Sequence, residues 1–205
     1  MGGGGSFASC YFLYLMSTKR LLKMVASRFR PFLNFFLSIF FEEKYLKGRH
    51  FESGYTGYFW AFRSIWLKNI LRISTPHPWP TGLSCTLSNP RNIEFHCDDL
   101  NNFQSPGTYF QNFKGRIIIG RGSYIGPNVG LITSNHNIDD LEKHEDSQDI
   151  FIGEQCWLGM NVVVLPGVTL GAKTIVAAGS VVTKSFPEGN VVLAGIPAKF
   201  LKKLT

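Results

Sequence analysis

From Ile119 onward an aliphatic residue returns at every sixth position. The sixes read IGRGSY, IGPNVG and LITSNH, then, after a polar interruption, IGEQCW, LGMNVV, VLPGVT, LGAKTI, VAAGSV and VTKSFP. Their first positions are Ile119, Ile125 and Leu131, then Ile152, Leu158, Val164, Leu170, Val176 and Val182. Leu, Ile and Val make up 46 of the 205 residues. Six consecutive hits in the second block would therefore arise by chance about once in 10⁴ trials at a given frame. Gly fills the second position in five of the nine sixes, where a corner is expected to need permissive torsions. Small or β-branched residues fill the fifth in seven of nine, and Cys156, on a fifth position, reads as a small buried residue rather than a reactive thiol. A six-residue period is too short for a helical repeat. It predicts a parallel β-helix in which each coil buries the apolar edge of the next.

The interruption is SNHNIDDLEKHEDSQD, Ser134 to Asp149. Leu131 and Ile152 lie 21 positions apart, not a multiple of six, so the segment after His136 has to leave the coil and return as an extruded loop. Loops held by a rigid scaffold are favoured places for function. This one carries His136, His144 and several carboxylates.

Upstream the pattern is different. Leu22, Val25 and Phe29 stand at helical spacing, with Lys19, Lys23, Ser27 and Arg30 on another face, which predicts a basic amphipathic helix. Pro31 then breaks or restarts it, and FLNFFLSIFF forms a short, very apolar second segment. The pair suits a membrane interface, cations toward anionic head groups, or packing on the main domain or another subunit. YTGYFWAFRSIW, Tyr55 to Trp66, admits the same two readings. The run from Pro31 to Phe41 has eleven residues, against roughly 20 for a spanning helix, so no transmembrane helix and no cleaved signal peptide is expected. The opening MGGGGS is set aside as a flexible tract. TPHPWPTG, Thr75 to Gly82, with three prolines, reads as a boundary. The expected organisation is a basic, Phe-rich, largely helical region over 1–74, a linker over 75–86 and a repeat domain over 87–205.

Charge sharpens this division. Residues 1 to 86 hold eleven Lys/Arg against three Asp/Glu, and the rest hold ten against eleven, so the net +7 belongs to the front. Eleven of the eighteen phenylalanines also precede residue 67. No nucleic-acid-binding module accompanies these basic residues. Cys10, Cys85, Cys97 and Cys156 form no CxxC pair and show no metal-ligand spacing, which points to reduced thiols in the cytosol and no metal.

With these motifs in view, the region from about Ile117 to Leu204 resembles the hexapeptide-repeat acyltransferases. The likeness is strongest over CWLGMNVVVLPGVTLGAKTIVAAGSVVTKSFPEGNVVLAGIPAKF. It is similar to maltose and galactoside acetyltransferases, to streptogramin-type antibiotic acetyltransferases, and most of all to the acetyltransferases of bacterial capsule and exopolysaccharide synthesis. The resemblance implies an all-β core, a left-handed parallel β-helix of three flat faces with an extruded loop, behind a short helical N-terminal region. Handedness comes from the resemblance alone, since connections between parallel strands are otherwise right-handed.

The chemistry implied is acetyl transfer from acetyl-coenzyme A to an alcohol, which needs a base because a sugar hydroxyl is barely ionised at neutral pH. Imidazole, with a reference pKa of about 6.5, suits that task. His136, in ITSNHN, matches the family's loop-root histidine. Its tautomer has to be held by a carboxylate, with Asp139 and Asp140 as candidates, or by a backbone carbonyl. The oxyanion is assigned by resemblance to the turn at Gly159 and Met160. Asn135, Trp157 and His144 are candidate site-lining residues. The matching donor contacts are Gly159, Ala177, Ala178, Thr183 and Lys184, with Lys199 and Lys202 toward the phosphates.

Lys114 and Pro106 stand where galactoside-type enzymes carry an acidic residue and an asparagine, so that acceptor does not transfer. The implied assembly is a homotrimer, and the implied acceptor a cell-surface glycan or lipid-linked sugar. The expected location is cytoplasmic, peripheral on the inner membrane face if the front end binds lipid. Three rival readings are an acetyltransferase for a small molecule or antibiotic, a γ-type carbonic anhydrase, and a catalytically silent scaffold. The carbonic anhydrase needs three zinc-binding histidines from adjacent coils.

Overall fold

In the computed structural model, which describes residues 28–204, each six-residue unit is one short strand and one corner. The strands are β1 (Thr86–Leu87), β2 (Ile93–Glu94), β3 (Tyr109–Gln111), β4 (Ile117–Ile119), β5 (Tyr124–Ile125), β6 (Gly130–Ile132) and β7 (Ile150–Ile152). They continue with β8 (Trp157–Leu158), β9 (Val163–Val164), β10 (Thr169–Leu170), β11 (Ile175–Val176), β12 (Val181–Val182), β13 (Val191–Ala194) and β14 (Lys199–Lys203). One sheet, here face A, has the order β1-β3-β6-β9-β12. Face B is β10-β7-β4-β2, and face C is β14-β13-β11-β8-β5. From β3 to β12 the chain visits A, B and C in that fixed cycle, and every pairing between coils is parallel. This is a three-faced parallel β-helix.

All nine aliphatic first positions are buried, as are the fifth positions except Asn135. They line the inside of the coil, where each large aliphatic side chain contributes about 1.5–3 kcal/mol by leaving water. Cys156 is among them, and burial pushes its thiol pKa up.

The glycine reading needs correction. Left-handed backbone falls on the fourth position, not the second: Gly122, Asn128, Gln155, Asn161, Gly167, Lys173 and Gly179 all have φ between 55° and 77°. The second-position glycines answer a different demand, the approach of the next coil. A Cβ on Gly153 would lie 2.6 Å from the Ala172 nitrogen, and one on Gly159 would lie 2.7 Å from that of Ala178. Close stacking selects glycine at the B-to-C corners, Gly120, Gly153 and Gly171, and at the first two C-to-A corners, Gly126 and Gly159; the last C-to-A corner carries Ala177. The A-to-B corner carries Ile132, Leu165 and Thr183 in that position and has room for side chains.

That roomier corner is also where the loop leaves. Val181 pairs with Val163, 18 positions earlier, which is one coil. Val163 pairs with Gly130, 33 positions earlier, so 15 extra residues lie between β6 and β7.

The two ends of the stack are closed differently. At the start, Trp79 is wholly buried with its ring centroid 4.9 Å from Tyr45, 5.0 Å from Phe95 and 5.2 Å from Phe103. The 3-10 segment Cys97–Phe103 takes the place of a strand on face C: Asn102 Oδ1 accepts from the Ile125 N–H and its amide donates to the Ser123 carbonyl. The Pro-rich stretch over 75–86 therefore lies inside the packing, with His77, Trp79 and Thr81 buried, rather than acting as a spacer. At the far end β14 turns back antiparallel on β13.

The chain divides into two compact units, Met1–Phe40 and Phe41–Thr205. In the first, residues 28–37 form a helix, α1, which runs through Pro31 rather than stopping there. Pro31 comes three residues after the first described one, where its missing N–H leaves the described hydrogen-bond ladder intact. The basic helix expected over residues 19–27 lies outside the described residues. In the second unit, α2 (Thr56–Ser64) continues as the wider turns of Ile65–Ile70. No described helix is long and apolar enough to cross a membrane.

Candidate active site

The loop is rooted by a side chain that sequence reasoning did not single out. Gln111, buried at the end of β3, accepts the N–H groups of Thr133 and Ser134 on Oε1, each at 3.0 Å, and donates Nε2 to the Ser134 carbonyl at 2.9 Å. Ser134 Oγ then donates across the loop base to Glu145 O at 2.9 Å. At the exit, Asp149 accepts the Arg116 N–H at 2.8 Å and its Nε at 2.9 Å. Within the loop, Asn137 Oδ1 accepts the N–H groups of Asp139 and Asp140, and Asp140 pairs with Lys143 at 2.9 Å. These bonds hold a polar segment in one shape without a hydrophobic core.

His136 and His144 face each other across this loop as a bridge pair, ring centroids 4.3 Å apart. His136 Nδ1 lies 2.7 Å from the Leu141 carbonyl. A carbonyl only accepts, so Nδ1 carries the proton and Nε2 keeps its lone pair. Of the two kinds of orienter left open by the sequence, the structure has the backbone carbonyl: the Asp140 carboxylate is taken by Lys143, and Asp139 contributes its N–H to the turn. Phe113 packs edge-on against His144 at 5.1 Å. Together with Lys114, Glu142 and Lys143 these two line a cleft of about 470 Å³. Asn135 is exposed, and its carbonyl accepts from the Glu145 N–H.

The remaining candidates fall into groups. Thr183 and Lys184, both exposed, follow β12 at the same A-to-B corner as the histidine loop. Trp157, 56% exposed, sits on face C between Tyr124 and Ile175. Gly159 and Met160 form the C-to-A corner, with Ala177 and Ala178 one coil on and Ala178 directly against Gly159. The Gly159 N–H is already given to the Val176 carbonyl at 2.9 Å, so it is not a free oxyanion donor. Lys199 and Lys202 are exposed on β14, at the edge of face C. Within one chain, face A therefore separates His136 from Trp157, Gly159 and the basic edge.

Metal-ligand spacing was not visible among the cysteines, yet His96, Cys97 and Asp98 bring ligand atoms within 4.8 Å of one another. Their donors serve the fold: Asp98 accepts from the Arg49 N–H and pairs with Arg121 at 2.8 Å, and His96 Nδ1 accepts from the Asp98 N–H. Cys85, Cys97 and Cys156 are free thiols.

The repeat register can be set beside known proteins. Residues 149–184 match the bacterial transferase hexapeptide family, six repeats. The chain belongs to the hexapeptide-repeat transferases. Among relatives, a Saccharomyces cerevisiae protein named "Putative acetyltransferase" is 36% identical over 131 residues, covering 60% of this chain and 66% of the relative. The galactoside O-acetyltransferase of Escherichia coli is 37% identical over 105 residues, 47% of this chain and 51% of the relative. An Escherichia coli protein named "Putative lipopolysaccharide biosynthesis O-acetyl transferase" is 39% identical over 99 residues, 42% and 50%. The chain thus spans about half to two thirds of the length of these relatives.

Proposed function

We propose that this chain is an acetyl-coenzyme A-dependent O-acetyltransferase acting on a sugar hydroxyl of a cell-surface polysaccharide or its precursor. The observation that carries the reading is His136, an imidazole at the root of the inserted loop whose Nδ1 is committed to the Leu141 carbonyl. Nε2 accepts the hydroxyl proton as the sugar oxygen attacks the thioester carbonyl. The oxyanion so formed is met by the Met160 N–H, since that of Gly159 is spent on the coil. Collapse breaks the carbon–sulfur bond, and the thiolate of coenzyme A leaves with the proton held by His136. His144, its ring tilted against that of the base, and Phe113 form the acceptor side.

The donor lies along face C. Trp157, Ala177 and Ala178 border the pantetheine arm, and Lys199 and Lys202 meet the phosphates, while Thr183 and Lys184, at the A-to-B corner with the histidine loop, approach from the side of the base. Six carboxylates in the histidine loop make it a poor host for those phosphates, which favours this polarity. Because a whole face separates base from donor groove in one chain, the site is completed by a second copy. A homotrimer is the closed arrangement that supplies it three times. The names of the two Escherichia coli relatives support a sugar acceptor. The exposed Phe29, Phe32, Phe35 and Ile39 support placement on the inner face of a membrane, where lipid-linked sugars are built.

The test is thiol release from acetyl-coenzyme A with candidate sugars. His136→Asn is expected to lower kcat by about 10²–10⁴ while leaving KM for acetyl-coenzyme A unchanged. A folded variant with near wild-type kcat would remove His136 from the role.

A further inference from the structure

The A-to-B corners of successive coils form one edge of the stack, and the histidine cleft shares that edge with a second cleft. Residues 88–92 turn this corner between β1 and β2, residues 112–116 turn it between β3 and β4, and the histidine loop leaves it between β6 and β7. Ile93, Ile117 and Ile150 stand in register just beyond the three corners. Paired strands lie about 4.8 Å apart, so the first corner is roughly 5 Å from the Phe113–Lys114 wall of the histidine cleft and about 10 Å from the loop root. Hydrogen bonds make the edge one piece. Asn92 Nδ2 donates to the Asn112 and Phe113 carbonyls at 3.1 and 3.2 Å, and Asn112 Nδ2 donates back to the Asn89 carbonyl at 2.7 Å. Arg116 pairs with Glu94 at 3.6 Å and with Asp149, at the loop exit, at 2.9 Å.

At the first corner opens a cleft of about 510 Å³, within the size range of small-molecule sites. Phe95, half-buried, forms its floor, stacked on Tyr45 at 4.9 Å with the two planes 5° apart and met edge-on by Trp79. Pro78 and Pro90, also half-buried, extend the apolar wall. The rim is polar and balanced in charge, with Glu42 and Glu94 against Lys44 and Arg91, all exposed. Glu42 and Lys44 pair at 2.7 Å, and the Arg91 guanidinium makes no ion pair among the described residues. A pyranose suits such a lining, because its C–H face packs on apolar surface while its hydroxyls donate to carboxylates and accept from cations. Other ligand classes fit less well. A phosphate or nucleotide would meet two carboxylates, and a wholly apolar ligand would strip water from four ionised groups.

We propose that this cleft is a second sugar subsite, which holds an uncharged pyranose of the acceptor chain one or two places from the pyranose acetylated at His136. Arg91 and Glu42 bind its hydroxyls, and Phe95, Pro78 and Pro90 support its C–H face. This rests on the sugar O-acetyl transfer proposed above and adds that the acceptor is an oligomer, read along an edge of the coil rather than as a single sugar.

The experiment is thiol release by the full chain with glucose, galactose, mannose and N-acetylglucosamine, each offered as the free sugar and as a linear tetrasaccharide. The tetrasaccharide of the accepted sugar is expected to show kcat/KM about tenfold higher than the free sugar. Arg91→Ala and Glu42→Gln are each expected to raise KM for the tetrasaccharide about tenfold, the weight of one hydrogen bond to a charged group, with kcat and the KM for free sugar and for acetyl-coenzyme A unchanged. Both side chains are exposed, so the variants melt with wild type. Equal kcat/KM for free sugar and tetrasaccharide would overturn the proposal, as would an unchanged tetrasaccharide KM in Arg91→Ala. Tighter binding of a uronate tetrasaccharide than of a neutral one, measured by calorimetry, would overturn the assignment of an uncharged sugar. Calorimetry with His136→Asn keeps the two readings apart. Neutral tetrasaccharide binding that Arg91→Ala weakens supports the subsite even where no acetyl group is transferred, whereas transfer to free sugars without such binding leaves the acetyltransferase standing and removes the subsite.

Discussion

Replacing Gln111 by Met tests whether the histidine loop is held from its root. The side chain makes three hydrogen bonds to the loop, and Met keeps the volume while making none. The Thr133 N–H retains a partner in the Gln111 backbone carbonyl at 3.1 Å, so the variant orphans two groups, the Ser134 N–H and C=O. Each buried orphan costs about 1–3 kcal/mol. Partial opening of the root to water brings the expected total toward the low end, about 3 kcal/mol. For a chain of this size that is a fall in Tm of roughly 6–12 °C. Thermal unfolding and thiol-release kinetics should be measured on the same protein. A loosened root moves the Leu141–His136 contact, so kcat is expected to fall at least about tenfold, with KM for acetyl-coenzyme A unchanged. Gln111→Glu adds a control: its carboxylate keeps both acceptor bonds but faces the Ser134 oxygen, and a protonated acid restores the donor. Its stability should therefore approach wild type as pH falls into the carboxylate range. A stability loss under about 0.5 kcal/mol with unchanged kcat in Gln111→Met would refute the reasoning.

Two glycines separate close approach from torsion. Gly153→Ala, whose methyl meets the Ala172 backbone at 2.6 Å, is expected to cost about 3 kcal/mol, whereas Gly179→Ala, with φ at 72° and open space around it, costs about 1–2 kcal/mol. Denaturant melts that put the two in the opposite order would sink the assignment of positions two and four. The Asp149 carboxyl is held below the ordinary range, first by the Arg116 backbone N–H and then by its guanidinium. A depressed folded pKa stabilises above the unfolded value, about 3.9, and that contribution is lost as pH falls through the folded one. The stability gap between wild type and Asp149→Asn should thus be widest at neutral pH and close in acid; a gap independent of pH would rule the pair out.

The coil was legible in the sequence because a repeat writes the same environment at a fixed interval. Every first position from Ile119 to Val182 is buried, and one periodicity sufficed to place it inside. The inserted loop was legible for the complementary reason, as a count that breaks the period. Gln111 escaped because a single polar residue in a short strand carries no periodic signal, and its partners lie 22 and 23 positions away. Had the expected loop root been matched against inward-facing polar residues on the preceding coil, Gln111 was the one to find.

Local chemistry therefore determined the repeat, the loop and the histidine at its root. Tertiary structure decided what those residues touch: which glycines yield to a neighbouring coil, which carbonyl fixes the His136 ring, and that His136 and Gly159 fall on opposite sides of one face. It also turned Lys68 from one lysine among many into a buried side chain whose Nζ has no hydrogen-bond partner among the described residues. Burial and hydrogen bonding depend on chain segments brought together from far apart, and a pattern read along one strand holds no record of what packs across it.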